Sequence, residues 1–142
     1  MNASADPNQA IRILGLAFLG GILLQTAVGL ILGSLLEEPV LERGPGRTVV
    51  AALLVVGAAN ILVSRFVVLP MQAKSDAPLA SMASLAYAFA DAPAVYGLVA
   101  AILVAEGLVA IPFGLLALLG WFVVRQFLTR LSAPSADDFP KL

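Results

Sequence analysis

Residues 13–36 run for 24 positions without a charge. A helix of that length is about 36 Å long, enough to cross a hydrocarbon core of about 30 Å with some tilt. In hydrocarbon the backbone must satisfy its own hydrogen bonds, and a single uninterrupted apolar run does so as a helix. The run is too long for a signal-peptide core, and residues 1–11 carry no positive charge, so it reads as a retained span. Three further apolar runs follow at residues 48–69, 79–104 and 108–128. The expected fold is therefore all-α, an integral membrane bundle of four transmembrane helices. Residues 1–131 form one transmembrane domain, and residues 132–142, polar and proline-containing, are expected to be a disordered C-terminal tail. Composition agrees: 61% of the 142 residues are hydrophobic and 12% are charged. A soluble domain carries roughly 25% charged residues and needs them to cover its surface.

The segments between the runs have the chemistry of connections. Residues 37–47 hold Glu37, Glu38, Glu42, Arg43 and Arg47 among helix breakers, and residues 70–78 form a polar turn between Pro70 and Pro78. Glu106 and Gly107 divide the last two spans. Four spans put both ends of the chain and the second connection on one side. The basic residues there, with those near span ends, are Arg12, Arg65, Lys74, Arg125, Arg130 and Lys141; the other side has Arg43 and Arg47. The excess of cations marks the cytoplasmic side, so both termini are expected to be cytoplasmic and the acidic first loop external. Trp121, toward the cytoplasmic end of the fourth span, suits an interfacial aromatic. The expected location is a bacterial inner (plasma) membrane.

The chain has no cysteine and no histidine. Disulfides, thiolate metal sites, cysteine nucleophiles and the usual general base are thereby excluded, and no metal or cofactor is expected. A net charge of −1 without a basic patch gives nucleic acid nothing to bind.

The third run is interrupted by Asp91, with fourteen uncharged residues on either side of it. A carboxylate at mid-depth costs about 2.5–3.5 kcal/mol on the lenient insertion scales, so Asp91 is the candidate ion-binding residue. Gln25 and Asn60 fall at the centres of the first two spans. By helical rise all three lie roughly 13–20 Å from the cytoplasmic side, so they are level and should face one another, a partner or water. The ordinary reading of the two amides is interhelical hydrogen bonding, worth about 0.6 kcal/mol each on average; the sharper one makes them part of a site around Asp91. Tyr87 and Tyr96 bring hydroxyls that can donate to the carboxyl. Arg65 lies below Asn60, and snorkelling to the interface is favoured over reaching Asp91. Pro93 and Pro112 each remove a backbone donor inside a span. Small residues recur every fourth position at Ala17, Gly21, Gly29 and Gly33, with Gln25 among them. Ser84, Ala88 and Ala92 form a second such row, and Ala86, Ala90 and Ala94 a third, all read as faces for close helix packing or self-association.

The segment Ala90-Asp91-Ala92-Pro93-Ala94-Val95-Tyr96-Gly97-Leu98-Val99 resembles the carboxylate-bearing helix of the c subunit of rotary ATP synthases, the ring-forming proteolipid. The resemblance is confined to the third span. It implies that Asp91 occupies the place of that family's ion-binding carboxylate, on the second arm of a hairpin with a cytoplasmic turn. The preceding span has Gly57 where the family repeats Gly-x-Gly, and Pro70-Met71-Gln72 where it has Arg-Gln-Pro.

Two functions are carried forward. The first is a non-enzymatic accessory or structural subunit, held in the lipid bilayer and packed against other membrane subunits or its own copies. The second is a proton- or cation-binding, proteolipid-like protein acting through Asp91. An intramembrane enzyme ranks last, because a lone central aspartate lacks a second acid, and no Ser-His or metal-ligand set is present.

Overall fold

The computed structural model describes residues 7–74 and 78–131. The expected disordered tail at residues 132–142 lies outside the described residues, as does the centre of the second connection. The elements are α1 (Pro7–Leu35), α2 (Arg43–Val63), a π-helical turn (Ser64–Val68), α3 (Leu69–Ala73), α4 (Leu79–Val104), a 3-10 turn (Gly107–Val109) and α5 (Ala110–Leu131). Four helices are long and apolar enough to cross a membrane: Gln9–Leu35, Gly44–Met71, Ala80–Val104 and Gly107–Leu131.

α4 is the hub. It packs against α1, α2 and α5, while α1 and α2 make almost no contact with each other. Its inward positions are small, with Ala83, Ala86, Ala90, Ala94, Ala100 and Ala101 essentially inaccessible. Small side chains let three neighbours approach one helix, and in lipid such packing, rather than water exclusion, holds helices together. Large residues fill the gaps between the rods: Ile22, Tyr87, Phe113, Val124 and Leu128 are fully enclosed. Outward positions such as Leu16, Leu24, Val55, Phe66, Leu115 and Leu119 are exposed and apolar, as a lipid-facing surface requires.

The every-fourth row on α1 does not form one seam. Gly29 and Gly33 are buried, but Ala17 is exposed and Gly21 faces open space. Four residues advance 400°, so such a row rotates about 40° per step around the helix. The buried seam instead runs through Ile11, Gly15, Ile22 and Gly29, with Phe18 and Gln25 half-buried along it. That alternation of three and four is the spacing that keeps one face on a neighbour at a shallow crossing angle. On α4 the row Ala86, Ala90, Ala94 is buried, whereas Ser84 and Ala88 are exposed.

The prolines act differently from one another. The second span continues helically through Pro70 to Ala73, beyond the expected boundary. The turn before Pro70 is widened: the Leu69 N–H reaches the Ser64 carbonyl, five residues back. Pro70 has no N–H, and its ring crowds the carbonyl four residues earlier; a wider turn accommodates both. Pro112 is the third residue of α5, just beyond the 3-10 turn, so it falls in the opening turns of the span rather than deep inside it. Only Pro93 lies deep inside a helix, and it is buried against α2 at Gly57, where an added Cβ would come within 3.3 Å of the ring.

At the loop end of the bundle α1 meets the turn between α4 and α5. A Cβ on Gly33 would lie 2.8 Å from both the N and Cα of Gly107, and one on Gly107 would run into the Leu30 carbonyl and the Ser34 hydroxyl. Main chain therefore touches main chain here. The turn is made by Ala105, which adopts the left-handed conformation with φ 50° and so costs roughly 1 kcal/mol.

Candidate functional site

Gln25 and Asp91 meet at the middle of the bundle. The Nε2 of Gln25 donates to Oδ2 of Asp91 at 3.2 Å. α1 and α4 run parallel, as the contacts of Gly15 with Tyr87 and of Gly29 with Leu98 require. Helical side chains tilt toward their own N-terminus, so the long Gln25 amide reaches back along α1 to the level of Asp91.

Asn60 goes elsewhere. Its Nδ2 donates to the Tyr96 hydroxyl at 2.9 Å. Asp91 and Tyr96 are five residues apart, about 140° around the helix, so one faces α1 and the other α2. The three level residues thus form two separate pairs rather than one site. Tyr87 lies one turn before Asp91, is enclosed, and stacks on Phe18 with ring centroids 5.6 Å apart. It makes no hydrogen bond to the carboxyl. The Arg65 guanidinium lies over the rings of Phe66 and Phe127, at 5.7 and 5.3 Å, not on Asp91. Among the described residues no cation pairs with the carboxyl.

Oδ1 of Asp91 and Oε1 of Gln25 are both buried acceptors without a donor. A buried polar atom left unmatched costs about 1–3 kcal/mol. One proton on the Asp91 carboxyl would turn an acceptor into a donor. An acid would then face a primary amide, and each group can both donate and accept. A carboxyl so placed can hold or release a proton, and no metal-ligand cluster is found among the described residues.

Two contacts were not foreseen from the sequence. Trp121 is not only an interfacial anchor: its Nε1–H donates to the Gly15 carbonyl at 2.7 Å, tying α5 to α1, and Arg125 covers its ring at 5.1 Å. Ser64 at the π-helical turn donates to the Ala86 carbonyl at 3.3 Å, tying α2 to α4. A main-chain carbonyl that accepts from a distant side chain leaves no mark in the sequence; the π turn had a weak one in the Pro70 that follows it. Trp121→Phe should lower stability in detergent by about 1 kcal/mol, the value of one lost hydrogen bond. A denaturation midpoint equal to that of the unaltered protein would show that the bond contributes nothing. No protein family, characterised protein or solved structure matches this chain, so the meaning of the site rests on its own geometry.

Proposed function

We propose that this is a non-enzymatic integral membrane protein, an accessory or structural subunit whose Asp91–Gln25 pair locks α1 to α4 at mid-depth. The observation that carries the reading is the closure of that bond within one chain. The carboxyl is engaged by a neighbouring helix, so the bundle presents an apolar outer face to lipid or to other membrane subunits. The cation distribution supports cytoplasmic termini. Purified from its own membrane in mild detergent, the protein should show a native mass above that of one chain, with a partner or further copies retained. A stable single chain carrying no partner would sink this reading.

A second reading has its own observation. The two unmatched oxygens favour a carboxyl that carries a proton, which is the starting point of an ion-binding role like that implied by the proteolipid resemblance. Asp91→Asn separates the two. Asparagine can donate to Oε1 and accept from Nε2, so the helix lock survives while the titratable proton is gone. For the structural subunit, growth and membrane potential should be unchanged in the native host. For the ion-binding protein both should fall, and carbodiimide should modify the unaltered chain but not the variant.

A further inference from the structure

A concavity lies away from Asp91, at the loop end of the bundle. It encloses about 660 Å³ between the start of α2, the first loop and the α4–α5 turn. That size falls in the range of sites for small molecules, roughly 300–1,000 Å³. Its floor is aliphatic, with Val50, Leu54 and Val104, and its rim carries Glu37, Arg47 and Glu106.

The cleft is built by specific contacts. The Leu41 N–H donates to the Leu103 carbonyl at 2.9 Å, which holds the first loop against the end of α4. Gly46 is buried so closely on Val104 that an added Cβ would lie 2.9 Å from its side chain. The left-handed Ala105 ends α4 abruptly and throws Glu106 into an extended conformation at the edge of the cleft. Strained residues of this kind persist where the surrounding structure holds them, often beside ligands.

The position selects the ligand. The rim sits at the ends of two spans, the level of lipid headgroups, and the floor descends along α2 into the hydrocarbon zone. Arg47 is exposed in a cleft that Glu37 and Glu106 also line, yet among the described residues neither glutamate forms an ion pair with it. Opposite charges that line one cleft without pairing are free to be bridged. A purely anionic headgroup would meet two glutamates, and a purely cationic one would meet the arginine. A headgroup with a phosphate and a primary ammonium satisfies all three, because guanidinium binds phosphate and carboxylates accept N–H donors.

We propose that this cleft binds a zwitterionic phospholipid with a primary amine, its phosphate on Arg47, its ammonium between Glu37 and Glu106, and an acyl chain along Val50, Leu54 and Val104. The site stands apart from the Asp91 pair and does not depend on how that pair is read.

The test is native mass spectrometry of the full chain in detergent with added phosphatidylethanolamine, phosphatidylcholine or phosphatidylglycerol at equal concentration. Phosphatidylethanolamine should be retained most strongly. The trimethylated headgroup of phosphatidylcholine lacks N–H donors, and phosphatidylglycerol lacks the ammonium. Arg47→Gln and Glu106→Gln should each reduce phosphatidylethanolamine retention about tenfold, the loss of one charge-assisted hydrogen bond. Both side chains are exposed, so the variants should keep the unaltered denaturation midpoint, which is measured alongside. Glycerophosphoethanolamine, which has the headgroup without acyl chains, should not compete. Equal retention of the three lipids, or unchanged retention by both variants, would overturn the proposal. So would full competition by the soluble headgroup, because the aliphatic floor would then play no part.

Discussion

Gly107→Val is expected to destabilise the bundle by about 3 kcal/mol or more, at the upper end for overpacking. The reason is what the new side chain meets. A Cβ at Gly107 would collide with the Leu30 carbonyl and the Ser34 hydroxyl, and Gly33, on the same helix, already brings the α1 backbone against that of Gly107. A flexible side chain could swing away, but a carbonyl bonded in a helical ladder can move only if that part of the helix moves. Close-packed interiors give little room for that. The variant must therefore pry α1 from the α4–α5 turn, and the loop end of the bundle should open first. Denaturation in detergent measures the effect. Gly20→Val and Gly21→Val are the controls: nothing lies within 4 Å of a Cβ at either position, so both should stay within about 0.5 kcal/mol of the unaltered protein, as exposed substitutions do. A Gly107→Val midpoint equal to those of the controls would refute the close approach.

Gln25→Leu should cost about 1–3 kcal/mol, and its companion experiment gives the change its meaning. The substitution removes the donor to Oδ2 of Asp91 and leaves a half-buried carboxyl with no partner among the described residues. Asp91→Leu should cost a similar amount by stranding the Gln25 amide. The double variant Gln25→Leu/Asp91→Leu should be more stable than the sum of the single losses predicts, because neither polar group is then left unmatched. Additive losses would mean that the two side chains do not act as a pair. The coupling is bounded: interhelical hydrogen bonds in membranes measure about 0.6 kcal/mol on average and at most about 1.7, since an unfolded chain in lipid also finds partners. Asn60→Leu with Tyr96→Phe, on the α2 face of α4, is an independent pair to compare with it.

The same residues show how far a sequence can be read. Four runs of apolar residues imply four spanning helices because hydrocarbon leaves the backbone no other partner, and helical rise alone sets Gln25, Asn60 and Asp91 at one depth. Depth is a coordinate along a helix axis and can be counted from one chain. Facing is an angle around that axis relative to a neighbour, and it cannot. Gln25 reaches Asp91 because α1 lies on that side of α4; Asn60 finds Tyr96 because α2 lies on another. The row of small residues on α1 misled for the same reason: a period of four drifts around the helix, and only the crossing angle with α4 decides which part of it is buried.

Four helices long and apolar enough to cross a membrane thus follow from this sequence by itself, since solvent and helical geometry act on every segment separately. The tertiary structure alone decided that Asp91 is matched to Gln25, that Trp121 binds the Gly15 carbonyl, that Gly33 and Gly107 bring backbones together, and that Arg47 lines one cleft with two glutamates. Each of those depends on which helix stands beside which, and in lipid that choice is made by small differences in packing spread over many residues.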